Sequence, residues 1–457
     1  MSLLRTKPIN ADLLCDTGLK RCLGALDLTL LGIGAIIGAG IFVLTGVAAA
    51  TQAGPAIVLS YVVAGFACAF SALAYAELAS SIGGCGSAYG YAYAGLGEIV
   101  AWIIGWDLIL EYGVATAAVA IGWSGYFNNA LAAMGLGLPE AWLKAPGAGG
   151  IINLPAAGIV LLLAVLLSIG VRQSARFNAV MVLVKLAAII TFIGVAAFNV
   201  EPANWSPFLP FGWGGVMSGA ALIFFAYIGF DAVSTAAEEA VNPARDLPIG
   251  IVASLAVCTI IYMLVSGLLT AIVPYPSLNV SSPVADALLR LGHRGAAGFI
   301  AAGAIAGLTT VMLVLYYGLT RVFLAMSRDG LLPPVFSVIH PKSHTPVRVI
   351  LVSGTLIAAI AGFTPIGDVA ELVNIGTLAA FVLVCGGVII LRSTRPDLPR
   401  PFRTPMSPLI PLLGIAFCLY LMTRLPEVTW LRFVIWLAIG LLVYFGYSRK
   451  HSVLATA

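Results

Sequence analysis

The chain has 457 residues, 61% of them hydrophobic and only 9% charged, with a formal net charge of +4 and a mean hydropathy of +1.05. Soluble domains carry about 25% charged residues, so the composition excludes a water-soluble globular protein and points to an all-α polytopic membrane protein, since helices satisfy their own main chain in lipid. It also leaves no basic groove-lining patch for nucleic acid, and the seven scattered cysteines form no CxxC pair from which a metal or redox cofactor site could be built.

Residues 1–27 are polar and mixed in charge, a cytoplasmic N-terminal segment rather than a cleavable signal. Twelve apolar runs follow, each close to the ~20 residues a spanning helix requires. They lie near 28–50, 55–80, 98–131, 152–170 and 178–199, then 214–239, 248–273, 296–326, 347–362 and 369–391, with 406–424 and 428–447 last. Residues 448–457 form a tail. With the N-terminus inside, 17 of the 23 lysines and arginines fall in cytoplasmic loops. That bias sets the orientation and places both termini in the cytoplasm, as an even number of spans requires.

The first run is interrupted at Ile36–Phe42, IIGAGIF, where Gly38, Ala39 and Gly40 let a helix unwind. Main-chain groups freed at mid-membrane depth must be satisfied by protein, water or ligand. The spacing of Gly34 and Gly38 also suits plain helix packing. A second interruption lies in the sixth run at FFAYIGFD, Phe224–Asp231, where Gly229 breaks the helix. The two interrupted runs are five apart. An odd number of spans per repeat inverts the second copy, so 28–199 and 214–391 form two inverted halves of five, the arrangement in which transporters hold substrate at broken helices.

Ionisable residues inside spans are costly and need a reason. Lys185, in VMVLVKLAAII, is isolated from other charges. Burial penalises a charged amine, so Lys185 is a candidate proton carrier whose ammonium would bridge carbonyls of the first break. The alternative is snorkelling toward Arg176. Glu111 lies one turn beyond Asp107 on one helix face. Asp107 is expected at the interface, while the deeper Glu111 would attract a substrate ammonium, exchange a proton or merely bond a neighbouring helix. Asp231 would orient the second break, reach the ligand amine or act as a cap. Glu77, Glu238 and Glu239 near the boundary are expected to contact Arg245 or Arg21. Among the aromatics beside the second break, Phe225 is the candidate gate. GIGAIIG (Gly32–Gly38) is no dinucleotide loop, because it lies inside a span with the wrong spacing.

These residues resemble the amino acid–polyamine–organocation superfamily and, within it, the cationic amino acid transporter family. The resemblance runs through CLGALDLTLLGIGAIIGAGIFVLTG at 22–46, YAELASSIGGCGSAYGYAY at 75–93 and GWDLILEYGVATAAVAIGWSGYF at 105–127. It continues in FDAVSTAAEEAVNPARDLPIGI at 230–251 and RVFLAMSRDGLLP at 321–333. It implies a LeuT-like fold of ten core helices in two inverted halves plus two peripheral helices. The substrate carboxylate would meet the amides of Gly38, Ala39 and Gly40, and the ammonium the carbonyls of Ile36, Phe225, Ala226 or Ile228. Phe225 takes the place of the aromatic gate. Lys185 matches the position that substitutes for a sodium ion, implying proton coupling. Leu315 takes the pocket position that is small in animal relatives accepting arginine, so a small neutral amino acid such as alanine is expected. Heteromeric relatives use a cysteine in the loop after the third helix; residues 132–151 have none, so no disulfide-linked glycoprotein partner is expected.

The sequence thus favours a proton-coupled L-amino acid symporter in the cell membrane, with lipid as its solvent. An exchanger or uniporter of cationic amino acids and a receptor that binds without transport stand as alternatives. An enzyme is disfavoured, the buried carboxylates being few and dispersed.

Overall fold

The computed structural model describes residues 5–7, 23–82, 87–170, 175–236, 240–341, 343 and 345–456. Among the described residues it is helical, with no strand and a single isolated bridge between Leu23 and Ala240. The first half contains α1 (Ala25–Ile36), α2 (Ile57–Ile82), α3 (Ser87–Gly95), α4 (Glu98–Ala133), α5 (Leu154–Ile169) and α6 (Ala175–Ala197). The second contains α7 (Gly212–Ile223), α8 (Pro243–Ile272), α9 (Pro283–Arg290), α10 (Arg294–Arg328), α11 (Val347–Phe363) and α12 (Ile366–Thr394). Two more follow, α13 (Leu409–Met422) and α14 (Glu427–Val443).

Eight helical stretches are long and apolar enough to cross a membrane, and four shorter apolar helices, α1, α5, α11 and α13, accompany them. The expected twelve runs do not appear as twelve long helices, because α5, α11 and α13 are only 16, 17 and 14 residues long and the first run divides. Its front part is α1, and its rear part runs from Gly40 as π-helical turns on toward α2.

The core forms where α4 packs on α10 and α12, α2 on α8, and α1 on α6 and α8. Leucines, isoleucines and alanines fill it, with Tyr61, Tyr227, Tyr262 and Tyr316 fully buried among them. The opposite faces of α6 and α14 expose Leu183, Ile190, Leu431 and Leu442, surfaces that only a hydrocarbon environment suits.

At one end of the bundle the two chain ends meet. Lys7 pairs with Asp329 at 2.8 Å, Tyr89 donates to the same carboxylate, and Tyr444 and Ser452 donate to buried Glu98. Nearby, Glu77 accepts two hydrogen bonds from Arg392 and one from the Thr404 amide, with Arg400 at 3.5 Å. Glu77 therefore ties α2 to the loop before α13 rather than to Arg245. Arg21, Glu238 and Glu239 lie outside the described residues.

Candidate functional site

Helix α1 stops at Ile36, and the next residue turns to an extended ψ of 96°. Ala39 then precedes the new helical stretch at Gly40–Leu44. A helix that stops and restarts leaves last-turn carbonyls and first-turn amides without partners in the helix. The second interruption has the same character. After α7 the chain tightens into a 3₁₀ turn at Phe224–Tyr227, becomes extended at Ile228 (ψ 137°), and passes through Gly229 at φ +114°.

The two interruptions interlock through glycine. A Cβ on Gly40 would stand 2.3 Å from the Ala226 Cα, and one on Gly229 would stand 3.0 Å from the Ala35 backbone. Each break therefore rests on the other at a position where a side chain has no room. Gly229 has a second reason, because its positive φ is a conformation that L side chains rarely adopt.

The freed carbonyls are claimed by three side chains from neighbouring helices. Lys185 of α6 is fully buried, and its ammonium donates to the Gly34 carbonyl and, at 2.9 Å, to the Ile37 carbonyl. It caps the carboxyl end of α1, where a cation is favoured both by hydrogen bonding and by the helix dipole. The ammonium does not turn back toward Arg176. Asn374 of α12 donates to Ala221 and Leu222, the last-turn carbonyls of α7, at 2.8 and 2.9 Å. Tyr262 of α8 stands between the breaks, with its hydroxyl 2.9 Å from the Ile36 carbonyl and 2.8 Å from the Ala226 carbonyl. A phenol has one proton to donate, so only one of these carbonyls receives it at a time.

Between the breaks lies a small cavity lined by Ile36, Gly38, Ala39, Gly40, Phe225 and Ile228, closed on its other sides by Ala35, Ala115, Val119, Val311 and Leu315. It has room for about one water molecule, so admitting anything larger requires the walls to part. Its side chains are all apolar, and polarity there is confined to the main chain. Such a place would grip a small zwitterion by its two ends, an anion at the amides that open a helical segment and a cation at the freed carbonyls. Ala226 is not among the lining residues; it packs under Gly40 and turns its carbonyl to Tyr262.

Glu111 and Asp231 stand apart from this lining. Like Asp107, which is 2% exposed, they are covered by the surrounding helices. Tyr112 donates to Asp231 at 3.0 Å. Sequence analysis missed Tyr262 and Asn374. Asn374 carried a usable signal, a lone amide within an apolar run. Tyr262 carried none, since an aromatic in a span is usually packing.

An all-helical apolar bundle holding main-chain polar groups around a buried cavity defines a polytopic membrane protein of the permease class. The amino acid permease family model matches residues 23–446, and the chain belongs to that family. It is 52% identical to the methylthioribose transporter of Bacillus subtilis and 54% identical to the branched-chain amino acid permease BcaP of the same organism, each over 99% of both chains. It is also 33% identical to human cationic amino acid transporter 4, over 98% of this chain and 90% of the relative.

Proposed function

We propose that the chain is a proton-coupled symporter of L-amino acids with small neutral side chains, such as alanine. The observation that carries this reading is the pair of interlocked breaks with Lys185 on the carbonyls of one of them. The substrate carboxylate binds the amides of Gly38, Ala39 and Gly40. Its ammonium takes carbonyls of Ile36, Phe225 or Ile228, and Phe225 covers it. Lys185 carries the coupled proton: charged, it holds the end of α1, and neutral, it releases it. Leu315 and Val311 shorten the side-chain end of the cavity. One relative is named a branched-chain amino acid permease, so leucine and isoleucine belong among the competitors tested.

The proposed frame is twelve crossings in a LeuT-like 5+5 inverted repeat, with 28–199 and 214–391 as its halves, 406–447 peripheral, and the first and sixth crossings discontinuous. Arg5 and Ser452 reach Glu98, and Lys7 and Val453 reach Asp329, at one end of the bundle, which supports an even number of crossings. The lysine and arginine bias supports both termini lying in the cytoplasm, in the proposed setting of the plasma membrane.

A second reading keeps Lys185 permanently charged as a strut in an exchanger or uniporter, and its two carbonyl bonds favour that equally. Alanine uptake into proteoliposomes with and without an imposed pH gradient separates the two. Accumulation only with the gradient supports symport; equal uptake in both leaves the strut.

A further inference from the structure

The stretch that leads from the end of α12 to α13 carries four arginines, Arg392, Arg395, Arg400 and Arg403, against one acid, Asp397. The four divide into two pairs. Arg392 and Arg400 turn inward, with side chains 28% and 7% exposed, and share the buried carboxylate of Glu77 on α2. Arg395 and Arg403 are exposed, and among the described residues neither side chain has a hydrogen-bond or ion-pair partner.

The inner pair also shapes the main chain that carries the outer one. Arg400 donates to the carbonyls of Leu391, Leu398 and Arg395, the last at 2.7 Å. Arg392 donates to the Thr404 carbonyl at 3.0 Å, and the Thr404 amide donates to Glu77 at 2.7 Å. The backbone is thus pinned at Arg395 itself and at the residue after Arg403, and both supports meet at one carboxylate. Two outward guanidiniums on a fixed support lose little freedom on binding, and each presents a planar fork that matches phosphate oxygens.

What lies beside the outer pair narrows the ligand. The segment joins two apolar helices, so it lies where the hydrocarbon layer ends. Directly after Arg403, Met406, Leu409 and Leu412 are 70, 47 and 50% exposed. A free phosphate would meet the arginines and leave that apolar edge bare, whereas a phospholipid covers both with one molecule. The surplus of positive charge selects a headgroup of net negative charge over a zwitterionic one.

We propose that Arg395 and Arg403 form a headgroup site for an anionic phospholipid whose acyl chains lie against Met406 and the exposed face of α13. A bound headgroup neutralises the outer pair, as Glu77 does the inner, and adds to the tie between α2 and the start of α13. In the orientation proposed above the site faces the inner leaflet.

The test uses the full chain in a neutral detergent at low salt, with phosphatidylglycerol, phosphatidylcholine or inorganic phosphate as the added probe. Bound lipid is counted by native mass spectrometry and melting temperature is followed in parallel. Phosphatidylglycerol is expected to bind more tightly than phosphatidylcholine. Arg395→Gln and Arg403→Gln should each weaken it about fivefold, and together roughly twenty-fivefold, with the melting temperature in lipid-free detergent unchanged. Arg424→Gln, at the exposed arginine between α13 and α14, should leave it alone. Equal binding of the two lipids, full binding by the double variant or an equal loss in Arg424→Gln overturns the proposal, as does phosphate displacing the lipid at equal concentration. If the double variant melts early, the unmodified chain decides: raised salt must erase its preference for the anionic lipid, and a preference that survives overturns the site. No transport is read, so the result stands apart from the symport reading.

Discussion

Two buried ionisable regions flank the interrupted helices, and they are satisfied to opposite degrees. Lys185 finds two carbonyls that the broken α1 no longer uses. Among the described residues no lysine or arginine pairs with Asp107, Glu111 or Asp231, and each has one buried oxygen without a hydrogen-bond partner. The difference follows from what a broken helix supplies. An unwound carboxyl end offers acceptors, which suit an amine, whereas a carboxylate needs donors, of which Tyr112 supplies one to Asp231. A cation at such a carbonyl end is hydrogen-bonded by the break itself, whereas Asp231 takes its donor from α4.

The comparison can be broken most severely at the amine. Lys185→Ala removes the donor and leaves the Gly34 and Ile37 carbonyls bare, at about 1–3 kcal/mol each. Gradient-driven uptake in proteoliposomes should vanish while some ligand-dependent thermal stabilisation survives; retained accumulation removes Lys185 from the mechanism. Next in size is Gly40→Ala, whose methyl group must displace the Ala226 backbone. Overpacking of this kind costs about 1–3 kcal/mol, read as a lowered melting temperature and reduced alanine affinity, and an unchanged variant would show that the two breaks do not press together.

Smaller effects sharpen the picture. Tyr262→Phe deletes one hydroxyl between two carbonyls, worth about 1 kcal/mol or roughly fivefold in alanine affinity. If affinity holds, the tyrosine does not link the breaks in the working protein. Smallest in its effect on alanine transport, Leu315→Ser opens the side-chain end of the cavity and should let arginine compete for uptake. Arginine competition equal to that of the unmodified chain refutes the role given to Leu315.

Much of the site was legible because glycine inside an apolar run is a local signal. Gly38, Gly40 and Gly229 announced both breaks, and a single lysine in 23 apolar-rich residues of α6 announced itself. What could not be read was contact between distant segments. Glu77 meets Arg392, 315 residues away, which no spacing rule reaches. Nor does spacing show what covers a helix end: α4 begins at Glu98, which is buried under Tyr444 and Ser452, 346 and 354 residues away.

The seating of Gly40 on Ala226 and of Gly229 on Ala35 has a mechanical corollary. Neither segment can slide past its counterpart by even a methyl radius without collision, so the pair is keyed like two halves of a joint. Widening the space for a guest then requires one segment to back away from the other, because their contact leaves no slack for a sideways shift.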